Sequence, residues 1–375
     1  MPFRRQAVRT PGMGCYYCVV DENYDQHELA SPWLESRFFS GAHSESTSAK
    51  YASSISLFLS WAERTRRTEV EAAADLHLFV AFLATTPVQR CGQQPRSASS
   101  INRILVAVRE FYRWAIAEHK IPTVVLGYLF EAADPEARRW VSPRVRHRRR
   151  EPRRMESPDA AAASEVISLI GQMSTARDRF MVLALAVTGL RIGQFLGLRR
   201  QDVHLVPDAS HLGLADPVTN LLCRIPGEHF HVVRRSNPNG AWSKSRFDFS
   251  VPVPAGLLPL YDGFAAEREA CREADLNDML VVALSGPTRG EAISARNANK
   301  LFKRASARAG IRHIHPHMLR HFTASAHLAQ GTSRDELQVL LGWSSIRSAE
   351  PYIHVSNEAK RAAVERVAAN LAESQ

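Results

Sequence analysis

The residues best suited to chemistry lie close together near the end of the chain. The stretch His315-Pro316-His317-Met318-Leu319-Arg320-His321 is followed by Leu340-Leu341-Gly342-Trp343 and then by Tyr352. Together these residues offer a fixed positive charge, polar rings and one phenol oxygen that could act as a nucleophile. A phosphodiester repels nucleophiles because it is negatively charged, so this set of groups is suited to attacking one.

Helical periodicity predicts how this stretch is presented. Pro316 suits the first turn of a helix, where its missing N–H breaks no hydrogen bond, and His317 and Arg320, three residues apart, then share a face. A second helix is predicted from the spacing of Leu337, Leu340 and Leu341. Gly342 is expected to end that helix and to turn Trp343 back towards the first.

A second arginine lies upstream in Thr188-Gly189-Leu190-Arg191-Ile192-Gly193-Gln194-Phe195-Leu196-Gly197-Leu198. The apolar run 180–187 predicts a buried helix that ends at Gly189, so Arg191 is expected to start the next helix at the rim of the core. Strands of a small antiparallel sheet are predicted at 221–225, 229–233 and 247–253, with Asn237-Pro238-Asn239-Gly240 as a turn.

These boxes, in this order and at these distances, resemble the tyrosine recombinases, the phage-integrase family. The family pattern is His-x-x-Arg-His, then Leu-Gly-His or Leu-Gly-Trp, then a nucleophilic tyrosine nine residues further, which matches Trp343 and Tyr352. The resemblance implies that Arg191, Arg320 and His317 bind the scissile phosphate, that Trp343 donates a hydrogen bond to it, and that Tyr352 forms a 3′-phosphotyrosyl bond. It further implies an exchange without ATP, metal or another cofactor.

The resemblance also implies a catalytic lysine on a hairpin, seven residues before a Val-Pro pair. Lys244 stands seven residues before Val251-Pro252, although the Gly-Lys-Gly form of the motif is absent. Arg246 is the competing candidate for protonating the leaving 5′-oxygen, and Lys244 as a turn residue that contacts the DNA backbone is a further alternative. The sequence departs from the family at Gln194, where an acidic residue is usual.

Residues 31–141 are predicted to form a helical domain. Apolar residues recur at helical spacing in 48–62, a second helix is predicted from Leu76 to Leu83, and a third from Ser99 to about His119. The third is expected to carry Arg103, Arg109 and Arg113 off its apolar side. The module resembles the DNA-binding core-binding domain of the same family, and an unrelated helical bundle is the alternative.

The segment 142–158 is the predicted domain boundary. It has no apolar period and contains several closely spaced arginines, which would repel one another unless phosphates neutralise them. Contacts with the DNA backbone are therefore expected for Arg144, Arg146, Arg148, Arg149 and Arg150. A run of solvated charges that binds nothing is the alternative. A catalytic domain with a C-terminal helix is expected over 159–375, and residues 1–30 are expected to be an arm. The predicted fold class is mainly α with a small antiparallel β-sheet.

Composition limits the partners and the location that the protein can have. The net charge of +10 favours a polyanionic partner, here double-stranded DNA, and no apolar run is long enough to span a bilayer, which predicts a cytoplasmic protein. No metal site is predicted. His317 and His321 have the spacing of a zinc pair, but Arg320 lies between them, and His321 is expected to have a structural role. Cys15 and Cys18 have no second ligand pair nearby.

The sequence therefore predicts a site-specific DNA recombinase, an integrase of a mobile element. A type IB topoisomerase and a degenerate relative that only binds DNA are the alternatives. The apolar face of a predicted helix over 356–371 points to a homotetramer on synapsed DNA, with a monomer when DNA is absent.

Overall fold

The structure, a computed structural model, describes residues 2–10, 14–41, 45–87, 94–131, 145, 147, 149, 159–243 and 245–352. The chain forms two compact units, Met1–Arg153 and Arg154–Gln375. The division falls inside the predicted boundary segment 142–158, of which only 145, 147 and 149 are described. The exact domain limits stay a prediction.

Unit 1 is helical, as predicted, because apolar residues recur along one face of each long helix. The three predicted helices are confirmed as α2 (Glu45–Arg64), α4 (Leu76–Thr85) and α5 (Ala98–Ala117). The helices of unit 1 are α1 (Ala30–Phe39), α2 (Glu45–Arg64), α3 (Glu69–Ala74), α4 (Leu76–Thr85), α5 (Ala98–Ala117) and α6 (Leu126–Leu129), with a 3-10 helix at Thr123–Val125. Their core is aromatic: Phe58 contacts Phe79 and Tyr112 edge to face at 5.1 and 5.9 Å between ring centres.

The first thirty residues differ from the expected arm. They contain an antiparallel hairpin of β1 (Arg4–Thr10) and β2 (Gly14–Val20) that packs on the helices. The Ser31 hydroxyl bonds both the N–H and the carbonyl of Val19, at 3.1 and 2.8 Å. No period is visible in the sequence because consecutive residues at the end of β2 are buried. Cys15 and Cys18, three apart on a strand, belong to opposite faces and contact different carbonyls.

Unit 2 combines helices with a three-stranded antiparallel sheet of order β3-β4-β5. Its helices are α7 (Ala163–Gly171), α8 (Ala176–Thr188), α9 (Ile192–Phe195), α10 (Leu258–Glu269), α11 (Ala295–Arg308), α12 (Pro316–Ala329) and α13 (Arg334–Leu340), with 3-10 helices at Arg200–Asp202, Ala255–Leu257, Arg272–Ala274 and Ile346–Tyr352. Its strands are β3 (Val203–His204), β4 (His229–Val232) and β5 (Phe249–Pro252). The predicted fold class is confirmed.

Two of the three predicted strands of unit 2 are confirmed as β4 and β5. The strand predicted at 221–225 is wrong: this segment makes only an isolated bridge between Leu222 and Ala215. Leu221 is 70% exposed, so the apolar residues of this segment belong to a surface loop and do not form the buried face of a strand. Besides β5, the strand that pairs with β4 is the two-residue β3, which is too short to give a periodic signal.

Helix α8 holds the core of unit 2 together and positions the helix that carries the chemical residues. Phe180 of α8 is stacked on Phe264 of α10 at 5.4 Å and contacts Phe195 at 5.9 Å. The hydroxyl of Thr323 on α12 donates to the carbonyl of Ala186 on α8 at 2.7 Å. Within the described part of the chain, no helix is both long and apolar enough to cross a membrane.

Candidate active site

Arg320 lies at the centre of the site. It is on α12, which starts at Pro316 as predicted, and it is 1% exposed. Its Nη1 donates to the Gly189 carbonyl at 2.7 Å and its Nη2 to the Leu341 carbonyl at 2.9 Å. The guanidinium thus connects the turn that precedes Arg191 with the turn that precedes Trp343. Burial lowers the pKa of Arg320 to about 9, so the group remains charged at neutral pH.

Two glycines permit the close packing around Arg320. Gly189 has a φ of +62°, and a Cβ there would lie 2.5 Å from a methyl carbon of Leu341. Gly342 has a φ of +58°, and a Cβ would lie 2.6 Å from the ring of Phe249. Gly342 follows α13 as the sequence predicted. At both turns a side chain would be strained in conformation and would also collide.

Arg191 stands directly before α9, at the helix start predicted for it. Its Nη1 is buried and has no hydrogen-bond partner within the described residues. A buried unpaired N–H of a charged group is costly, so this atom is ready to bind an anionic oxygen. Burial lowers the pKa of Arg191, while the nearby Tyr352 acts in the opposite direction.

Gln194 holds the start of α9 in place. Its Oε1 accepts a hydrogen bond from the backbone N–H of Arg191 at 2.8 Å, and the side chain is almost fully buried. An acidic side chain could accept the same bond, so the glutamine keeps the positioning contact but adds no negative charge. The positive charge of Arg191 is therefore not reduced by its neighbour.

Tyr352 ends the 3-10 helix Ile346–Tyr352, and its hydroxyl lies 2.5 Å from Nδ1 of His321. Burial raises the pKa of Tyr352, and the charges of Arg320 and Arg191 act to lower it. The phenol of Tyr352 therefore lies within the electrostatic influence of two cations. The pKa of His321 is lowered by burial and then by Arg320, so its ring is neutral at neutral pH and can accept the phenol proton.

His321 is a functional candidate that the sequence analysis missed, because it was expected to be structural. Its position directly after Arg320 in the His-x-x-Arg-His box was the available signal. Only the return of the chain to Tyr352 brings the two side chains together.

His317 lies on the same face of α12 as Arg320 and His321. Its ring centre is 4.3 Å from that of His321, in an edge-to-face arrangement. The side chain reaches the surface, but desolvation by nearby protein atoms lowers the pKa of His317 to about 4, and the neighbouring His321 and the charge of Arg320 add to this shift. His317 is therefore uncharged at neutral pH.

Trp343 contacts both Tyr352 and Arg320. Its ring is stacked on that of Tyr352, with 5.8 Å between centres and 13° between planes. The guanidinium carbon of Arg320 lies 5.7 Å from the centre of the indole. Such a contact is favourable between a cation and an aromatic face. Trp343 thus fixes the position of the Tyr352 ring.

Lys244 lies outside the described residues, between β4 and β5. Its neighbours Ser243 and Ser245 are buried, with their hydroxyl oxygens 2.5 Å apart. The side chain of Arg246, the competing candidate, is exposed, and its carbonyl accepts from Nη1 of Arg234 at 2.9 Å. The role of Lys244 stays a prediction.

The arginines predicted on the third helix of unit 1 line one surface cavity of about 440 Å³. Arg103 and Arg113 are exposed, and Arg113 pairs with Glu110 at 3.1 Å. The expectation that all three arginines lie off the apolar side of the helix is wrong for Arg109, which is only 5% exposed. It follows Leu105 by four residues and therefore lies beside the buried stripe of α5.

Of the arginines predicted in the boundary segment, the structure describes Arg149. Its backbone N–H donates to Oδ1 of Asn102 at 3.0 Å, and Nδ2 of Asn102 donates to its carbonyl at 2.9 Å. These bonds fix its backbone on α5 while the side chain remains exposed. The others, Arg144, Arg146, Arg148 and Arg150, lie outside the described residues.

Comparison with solved structures identifies the fold. A crystal structure of the XerH site-specific recombinase bound to difH substrate matches 88% of this chain and 83% of its own, with a TM-score of 0.57 and 16% identity. The Tn1549 transposon integrase in complex with transposon right end DNA matches 90% of this chain and 98% of its own, with a TM-score of 0.54 and 16% identity. The chain has the fold of the site-specific recombinases and integrases.

Comparison of sequences then gives the family. The chain is 25% identical to the tyrosine recombinase XerD of Corynebacterium glutamicum, over 89% of this chain and 95% of the relative. It is 28% identical to the tyrosine recombinase XerA of Thermococcus kodakarensis, over 80% of this chain and 85% of the relative. The model of the phage integrase family matches residues 160–359, and that of the phage integrase N-terminal SAM-like domain matches 33–119. The chain belongs to the phage integrase family and is a tyrosine recombinase. The resemblance found in the sequence is confirmed.

Proposed function

We propose that this enzyme cleaves and rejoins double-stranded DNA at specific sites through a 3′-phosphotyrosyl intermediate on Tyr352. One observation carries the proposal: a tyrosine hydroxyl, bonded to a neutral histidine, lies in the field of the buried Arg320 and the half-buried Arg191, whose buried Nη1 is an unpaired donor. Support for DNA as the partner comes from the net charge of +10 and from the XerH and Tn1549 neighbours, whose structures contain DNA.

The first step of the proposed reaction is binding of the scissile phosphate. Arg191 would donate its free Nη1–H to a non-bridging oxygen, and Arg320 would contribute its charge from the adjacent buried position. A bound phosphate would also raise the low pKa of His317, because negative charge favours the imidazolium form. His317 would then donate to the phosphate, as the sequence predicted.

The second step is transesterification. The Tyr352 oxygen attacks phosphorus while its proton passes to Nδ1 of His321, and the bond from phosphorus to the 5′-oxygen breaks. Lys244 gives a proton to that 5′-oxygen. A phosphate ester is exchanged for another phosphate ester, so no ATP or cofactor is required. The 5′-hydroxyl of another strand can then attack the phosphotyrosine and complete the exchange.

The cellular role we propose is that of an integrase of a mobile element, acting in the cytoplasm. Its likeness in fold to a transposon integrase supports this role. Inverted repeats and transfer genes beside the reading frame are the expected genomic context, and an isolated housekeeping locus would contradict it. Membership of the phage integrase family disfavours a type IB topoisomerase.

Selection from random DNA tests the proposed function and requires no assumption about the target sequence. The full chain is incubated with nicked duplexes of randomised sequence, and covalent complexes are isolated after denaturation. We expect a narrow set of sequences joined to the protein through the 3′-phosphate, each leaving a 5′-hydroxyl that polynucleotide kinase can label. Recovery of a shared binding sequence without covalent attachment would instead identify a degenerate relative that only binds DNA.

We further propose that four copies assemble on two synapsed DNA duplexes, since exchange of both strands of two duplexes needs four nucleophiles. The segment predicted to dock on a neighbouring copy, 356–371, lies outside the described residues. Truncation after Val355 should leave folding and binding to a single site nearly unchanged and should abolish synapsis, as measured by gel mobility and by strand exchange between two duplexes. Strand exchange at the normal rate by the truncated protein would refute this assembly.

A further inference from the structure

The sheet of unit 2 brings together four buried side chains that the proposed reaction does not use. His204 ends β3, His229 and His231 lie on β4, and Cys223 lies in the connection between these strands. The antiparallel register pairs His204 with His229, and His231 lies on the same face as His229 because side chains alternate along a strand. We call these four residues the His3Cys cluster.

Four of the six distances between ligand atoms in the His3Cys cluster are close to the edges of a tetrahedral metal site, and all four atoms lie within 4.8 Å of one another. The Nε2 atoms of His229 and His231 are 3.1 Å apart, and Nε2 of His231 is 3.3 Å from Nδ1 of His204. The Cys223 sulfur is 3.4 and 3.6 Å from the Nε2 atoms of His229 and His231. Tetrahedral zinc with ordinary bond lengths requires about 3.3 Å between nitrogens and about 3.6 Å between nitrogen and sulfur.

One hydrogen bond and one electrostatic contact outside the cluster direct lone pairs into it. Nδ1 of His229 donates to the Gly227 carbonyl at 2.7 Å, which leaves its Nε2 unprotonated. Nδ1 of His231 faces the Asp216 carboxylate at 3.6 Å, which favours the same tautomer. Two nitrogen lone pairs then face each other across 3.1 Å. They repel unless a cation lies between them.

We propose that His204, Cys223, His229 and His231 bind a structural zinc ion. Mixed imidazole and thiolate ligands suit zinc, and four buried protein ligands leave no open position for a substrate. One thiolate and three neutral imidazoles leave the site with one positive charge, which the Asp216 carboxylate beside His231 offsets. The proposal does not depend on the recombinase mechanism.

The zinc ion would attach the connection 205–228 to the sheet. In this fully described segment only Ala209 and Cys223 are buried, so apolar packing can contribute little to holding it. Asp216 orders the loop around the site, since its Oδ1 accepts from the N–H groups of Val218 and Thr219 at 2.8 and 3.0 Å. The metal would thereby fix β4, the strand that precedes the connection to β5.

Metal analysis of the full-length, tag-free protein tests the site. We expect about one zinc ion per chain by mass spectrometry. Cobalt substituted for zinc should give the intense visible bands of a tetrahedral site and a sulfur-to-cobalt charge-transfer band. Chelation should lower the melting temperature and expose 205–228 to protease, and added zinc should reverse both effects.

Variants identify the ligands. Cys223→Ser should remove the sulfur-to-cobalt band and weaken zinc binding about 100-fold or more, and Asp216→Asn should weaken it about 10-fold. The matched control is Cys271→Ser, which alters another buried thiol of unit 2. It should change neither the sulfur-to-cobalt band nor the affinity for zinc. Folded wild-type protein that contains no zinc and takes up none from a zinc buffer would overturn the proposal, as would equal behaviour of the two cysteine variants.

Discussion

Replacement of Tyr352 by phenylalanine is expected to abolish covalent attachment to DNA while leaving DNA binding unchanged. The substitution removes only the hydroxyl that would attack the phosphate. The ring would still stack on Trp343, so the site should keep its shape. The measurement compares, on one nicked duplex, the yield of covalent complex after denaturation with the binding affinity before it.

Two control variants make this result specific. Tyr261→Phe removes a hydroxyl from a half-buried tyrosine that packs on Phe180, and it should cleave like the wild type. His321→Ala removes the acceptor of the Tyr352 proton, and we expect cleavage to slow about 100-fold while attachment still maps to Tyr352. Undiminished covalent yield in Tyr352→Phe would eliminate this residue as the nucleophile, and wild-type cleavage by His321→Ala would eliminate the proton acceptor.

A substrate with sulfur in place of the bridging 5′-oxygen should separate the role of Lys244 from that of Arg191. On ordinary DNA, Lys244→Ala and Arg191→Ala should each lower the cleavage rate by about 10²–10³-fold. Sulfur is a good leaving group that needs little protonation. The sulfur substrate should therefore restore Lys244→Ala to near the wild-type rate and leave Arg191→Ala slow, because charge on the non-bridging oxygens still needs a cation.

Arg246→Ala is the matched control for this experiment, since Arg246 is the nearby exposed cation. It should cleave both substrates at near the wild-type rate. Rescue of Arg246→Ala in place of Lys244→Ala would transfer the proton-donor role to Arg246. Equal rescue of Lys244→Ala and Arg191→Ala, or of neither, would remove Lys244 from that role. Single-turnover rates at saturating protein keep weaker DNA binding from being mistaken for slower chemistry.

The charges of the site explain why Arg191 is expected to matter so strongly. Arg320 already gives two donors to backbone carbonyls, and its pKa is lowered first by burial and then by the charge of Arg191. With Gln194 where an acidic residue is usual, no charge is added at that position to reduce this repulsion. A bound phosphate would relieve it and would pair the free Nη1 of Arg191. The charges of the site thus favour binding of an anion.

The sequence alone was sufficient for features that depend on local spacing. The apolar period predicted α2, α5 and α12, the box around Arg320 predicted its helix face, and Gly342 predicted the turn to Trp343. Each of these follows from interactions within a few residues along the chain, where periodicity and backbone preference are sufficient. The family resemblance rests on the same local motifs and was therefore visible without a structure.

Tertiary structure alone decided which distant side chains meet. The contact of His321 with Tyr352 depends on how the chain returns after α13, and the burial of Arg109 depends on what packs beside α5. The His3Cys cluster, which the sequence did not predict, depends on β3, a strand of two residues whose register with β4 places His204 opposite His229. Strand pairing joins residues far apart in the chain through backbone hydrogen bonds, and these bonds leave no period in the sequence from which such a cluster could be predicted.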